Sequence, residues 1–75
     1  MKKITVINRL ENEEGNFIEL THNGVEEHRV YRVEIKTDSG HWSEWFTALD
    51  SELNERLARE NYKELKQLIE RKVMV

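Results

Sequence analysis

Hydrophobic and polar positions along this chain change period once, from the two-residue alternation of strands to the spacing of a helix. Lys3-Ile4-Thr5-Val6-Ile7-Asn8 is a β-branched run of strand type, closed by the charged loop Glu11-Asn12-Glu13-Glu14-Gly15-Asn16. Phe17-Ile18-Glu19-Leu20-Thr21 reads as a second strand. The Asn23-Gly24 pair after it predicts a tight hairpin into a third strand from about Val25 to Lys36, with a bulge near Glu26-Glu27-His28. Thr37-Asp38-Ser39-Gly40 is the next turn, and Gly40-His41-Trp42-Ser43-Glu44-Trp45-Phe46 the fourth strand candidate.

Trp42 and Trp45 are three residues apart, so on a strand their indoles project from opposite faces. One short helix covers one face of a sheet, which predicts that one aromatic surface lacks a cover within the monomer. A three-residue loop, Asp38 to Gly40, would set Val33 opposite Trp45, Arg32 opposite Phe46 and Lys36 opposite Trp42. That register predicts a core face of Tyr31, Val33, Ile35 and Trp45, and an outer face where two cations cover two rings.

From Thr47 the period lengthens. Thr47 with Asp50 three residues on suggests a capping box and a helix from about Ala48. Leu49, Leu53 and Leu57 form one apolar row, and Ala58, Tyr62, Leu65 and Ile69 a second, rotated one. The drift predicts one continuous or slightly kinked helix, with a break at Asn61 as the alternative. Val73-Met74-Val75 would pack on the sheet or add a short strand. The resulting fold is α+β: a single domain over residues 1–75, with a small antiparallel meander of three or four strands over about 3–47 and a C-terminal helix over about 48–72, packed on one face.

Composition narrows the function. With 75 residues and no cysteine, neither a disulfide framework nor a thiolate metal site is available, which leaves oligomerisation as the usual support for so small a core. Apolar runs no longer than three residues exclude a spanning helix or a signal-peptide core, so a cytoplasmic chain without membrane association is expected. Net charge is −3, unevenly spread: residues 1–54 carry eleven acids and six bases, residues 55–75 four acids and six bases. That balance lacks the basic footprint of a dedicated nucleic-acid binder, although Arg29, Arg32 and Lys36 form a local patch.

His22, His28 and His41 lack ligand spacing, so no metal and no other cofactor is expected. No phosphate-cradling glycine loop and no nucleophile elbow occurs, and the carboxylates lie in loops or point apart, so the chain reads as non-enzymatic. The aromatic cluster is the feature that points to a function. Tryptophan, tyrosine and arginine dominate binding hot spots, so Trp42 and Phe46 beside Arg32 and Lys36 are the expected partner-binding residues of a small regulatory protein, acting on a protein partner and as a homodimer. Glu11, Glu13, Glu14, Glu26 and Glu27 suggest a sharper version, an acidic surface imitating nucleic acid in an inhibitor of bacterial or phage kind. The competing class is a nucleic-acid module that lays the sheet against phosphates and bases through Arg29, Arg32 and Lys36.

Overall fold

The computed structural model describes residues 4–70. Four strands, β1 (Thr5–Glu11), β2 (Phe17–His22), β3 (Tyr31–Thr37) and β4 (Gly40–Phe46), form an antiparallel sheet in the order β1-β2-β3-β4, and one helix, α1 (Ser51–Glu70), packs across it. The α+β meander with a C-terminal helix is thus what the molecule adopts. Phe17, Glu19 and Thr21 of β2 and Arg32, Glu34 and Lys36 of β3 alternate with the inward-facing Ile18, Leu20, Tyr31, Val33 and Ile35. These side chains share the face that α1 covers with Ala58, Tyr62 and Ile69. Burying each large aliphatic side chain contributes about 1.5–3 kcal/mol.

β1 solves a parity problem. Ile7 and Leu10 are three residues apart and would face opposite ways on a regular strand, yet both reach the core. A bulge between Val6 and Asn8 inserts the extra residue that turns Ile7 inward.

The helix is continuous over 20 residues, and its start lies later than the Thr47 signal suggests. Asp50 is the cap, its Oδ1 accepting from the Glu52 and Leu53 amides at 2.9 and 3.2 Å. Thr47 and Ala48 are held outside the helix by Asn54, which is fully buried. Its Oδ1 accepts from Ala48 N, and its Nδ2 donates to Ala48 O and Arg29 O, all within 2.9 Å. Of the two apolar rows the second is the buried one, whereas Leu49 is 92% exposed and Leu57 is exposed.

Two turns differ from expectation. The Asn23-Gly24 pair does not close a tight hairpin: Gly24 has φ of 76°, but Asn23 stays at negative φ, so the two positive-φ positions of that turn are not met. Asn23 instead accepts from Val25 N and donates to His28 O, organising an eight-residue loop over 23–30, and β3 begins at Tyr31 with no bulge at Glu26-Glu27-His28. Between β3 and β4 the loop is two residues, Asp38 and Ser39, with Thr37 paired to Gly40. Thr37 Oγ1 accepts the Ser39 amide at 3.1 Å, so the side chain closes the turn. The register is therefore one residue from the expected one: Arg32 faces Trp45, Ile35 faces Trp42, Tyr31 faces Phe46 and Lys36 faces His41. The expectation for Val73-Met74-Val75 lies outside the described residues.

Candidate functional site

The one-residue shift exchanges the roles of the two tryptophans. Trp42 and Phe46 lie on the helix side of the sheet, Phe46 half-buried against the core and Trp42 45% exposed at its margin. Trp45 lies on the outer side with Arg32 and Lys36, and is 53% exposed. The expected cluster of Arg32, Lys36, Trp42 and Phe46 is thus divided between two faces, because the β3–β4 loop holds two residues and not the three expected from Asp38 to Gly40. The opposed parity of Trp42 and Trp45 is as expected, and both rings keep substantial exposure.

On the outer face, which α1 does not cover, residues fall into three cross-strand rows: Val6–Thr21–Arg32–Trp45, Arg9–Glu19–Glu34–Ser43, and Glu11–Phe17–Lys36–His41. Arg9 donates to Glu19 at 2.8 Å and to Glu11 at 3.1 Å, and lies 4.5 Å above the Phe17 ring. Glu34 accepts from Arg32 on one side and from His41 Nε2 at 2.7 Å on the other. His41 also meets Phe17 edge-on. Each of these guanidinium and imidazole groups is thereby bound to a carboxylate, and the face is close to neutral.

One end of this face is different. The Arg32 guanidinium lies 5.4 Å from the Trp45 ring, and the two side chains wall a cavity of about 80 Å³ together with Ile4, Thr21, His22, Asn23 and Val30. Thr21 is buried beneath it, Ile4 and Val6 are exposed beside it, and Arg32 Nε is buried without a hydrogen-bond partner. An exposed indole, two exposed aliphatic side chains and a stacked arginine around a small apolar pit are the composition of a binding hot spot. Ile4, Val6, Thr21 and Trp45 were missed as site residues. The turn length was the deciding signal, and Thr37, which can close a two-residue loop through its hydroxyl, was the clue to it.

A second, open groove of about 560 Å³ lies at the end of the molecule where the β1–β2 and β3–β4 turns meet the end of α1, lined by Glu13, Glu14, Asp38, Trp42 and Leu68 among others. Asn16 Nδ2 donates to Asp38 Oδ1 at 3.1 Å and ties the two turns together. The five acids of the expected acidic surface are not brought together. Glu11, Glu13 and Glu14 lie at this end, while Glu26 and Glu27 lie on the 23–30 loop at the other.

The histidines serve the fold. His28 Nε2 donates to Ala48 O at 2.8 Å, and His22 Nδ1 accepts the Gly24 amide at 2.9 Å, which places its proton on Nε2. Burial pushes the His22 imidazole below its ordinary value, the nearby Arg29 adds to the shift, and Glu55 opposes it. Arg29 is fixed through its backbone, whose amide donates to Ser51 Oγ and whose carbonyl accepts from Asn54, while its guanidinium Nε is buried without a hydrogen-bond partner. Among the described residues no group of three or more His, Asp or Glu side chains could hold a metal ion, and no helix is long and apolar enough to cross a membrane. No family model, no curated protein and no solved structure matches this chain.

Proposed function

We propose that this protein is a small, non-catalytic docking module that binds a protein partner through the uncovered face of its sheet, with Trp45 and Arg32 as anchors. The observation that carries this reading is the apolar pit between Trp45, Arg32 and Ile4 on a face the helix leaves open. The pit accepts the end of one aliphatic side chain of the partner, packed against the Trp45 ring and the Arg32 guanidinium. Regulation by occupying a partner surface fits so small a domain.

Nucleic acid is disfavoured by the same geometry. Arg32 is paired with Glu34, and Glu11, Glu19 and Glu34 interleave the cations of this face, so phosphates would meet carboxylates. Separation of the acids to the two ends of the molecule supports docking by apolar contact over imitation of nucleic-acid charge. The test is capture by the tagged full chain from native lysate, with and without nuclease. A protein retained after nuclease and lost with Trp45→Ala supports docking; recovery that depends on nucleic acid overturns it.

A further inference from the structure

The sheet has two edges that differ in character. β1 is interrupted by its bulge and exposes Arg9 and Glu11, features that discourage pairing with another strand. β4 is seven residues long, regular in register, and free of proline, lysine and arginine. Among the described residues none pairs with its outer edge.

The direction of each backbone group on β4 follows from the ladder. Asn23 N donates to Val30 O at 3.2 Å, so the 23/30 pair just beyond His22–Tyr31 is a hydrogen-bonded one. Bonded and non-bonded pairs alternate in antiparallel strands, so Arg32, Glu34 and Lys36 bond toward β2, and Tyr31, Val33, Ile35 and Thr37 toward β4. Their β4 partners Phe46, Glu44, Trp42 and Gly40 bond inward. His41, Ser43 and Trp45 therefore turn their N–H and C=O groups to the edge away from β3, where no described residue pairs with them.

We propose that β4 is the interface of a symmetric homodimer, formed by antiparallel pairing of two β4 strands about a two-fold axis at Ser43. That register brings every outward residue into a bonded pair: Ser43 with the partner's Ser43, and His41 with the partner's Trp45 in both directions. It also sets Glu44 opposite the partner's Trp42. Centring the axis on Glu44 would oppose two carboxylates, and centring it on Trp42 would leave Trp45 beyond the partner's strand. Self-complementary phase and charge thus select a second copy of this chain as the occupant.

The helix side is prepared for the same seam. Leu68 shares a groove with Trp42, whereas Glu55, on the opposite flank of α1, is near enough to His22 of β2 to act on its charge. Leu57, eleven residues before Leu68 and so about three turns earlier, lies on the same flank of α1. Two copies would join their sheets into one of eight strands, with Trp42, Leu57 and Leu68 of each copy walling a trough above the seam. This proposal rests on the β4 ladder and stands or falls independently of docking at Trp45.

Light scattering after size exclusion should give twice the chain mass, and Ser43→Pro should give the chain mass. The proline removes an N–H that faces away from β3, so it leaves the internal ladder bonded. Amide exchange of the unsubstituted protein supplies a reading that needs no variant. In the dimer, the His41, Ser43 and Trp45 amides should exchange at least tenfold more slowly than on dilution to monomer. A monomer at all concentrations, a dimer in which those three amides exchange freely, or their protection in a monomer would overturn the proposal.

Discussion

Trp45 and Arg32 illustrate how a single side chain's task depends on one residue of register. The cation–aromatic pairing expected across β3 and β4 exists, but with Trp45 in place of Phe46, at 5.4 Å. Propensity and alternation could not choose between these partners, since both registers place an aromatic opposite Arg32. His22 shows a quieter dependence on environment. Its Nδ1 accepts the Gly24 amide and burial disfavours its charged form, so the fold holds the neutral imidazole. An unfolded chain takes up this proton near pH ~6.5, the folded chain only at lower pH. The stabilisation is thus fully present above about pH 6.5 and is lost as pH falls through the folded value. A proton titration followed by NMR should give His22 a midpoint below that of an unfolded peptide, and a midpoint at or above the peptide value would refute the assignment.

Among the elements, the strands and the helix were legible because their hydrophobic periods are long and consistent, from Ile18 to Ile35 in the sheet and Ala58 to Ile69 in the helix. Their ends were less so. Thr47 and Asp50 both have side chains that cap helices, and what separates them is Asn54, four residues beyond Asp50, whose amide claims both backbone groups of Ala48. That contact also reaches Arg29 O, twenty-five residues away, a long-range demand that no local pattern contains. Asn23-Gly24 failed as a hairpin signal for a similar reason: the Asn23 side chain closes a wider loop whose Arg29 docks on α1. Asn54→Ala would remove three hydrogen bonds, to Ala48 N, Ala48 O and Arg29 O, made by a fully buried side chain, and should lower unfolding free energy by roughly 2–4 kcal/mol, measured by urea denaturation. A loss below about 0.5 kcal/mol would show that Asn54 does not hold these elements together.

Taken together, one helix over a four-stranded sheet leaves half of the sheet's surface to be explained by something besides the core. The sequence announced this surplus through Trp42 and Trp45, whose opposed parity holds in either register. It could not announce which surface is which, because that follows from the two-residue loop closed by Thr37. Trp45 marks an uncovered face with a small apolar pit; Trp42 marks the margin of the helix layer beside the open β4 edge. Docking and self-association are thus assigned to surfaces that meet at one strand. The two alanine variants separate them because the indoles point in opposite directions.

The most direct measurement is the affinity of the captured protein partner for the Trp45→Ala and Trp42→Ala variants, by titration calorimetry at fixed salt. Truncating a hot-spot tryptophan costs about 2 kcal/mol or more, so Trp45→Ala should weaken binding by roughly thirtyfold, with Trp42→Ala within about threefold of the unsubstituted protein. Equal losses, or a larger loss for Trp42→Ala, would contradict docking on the uncovered face.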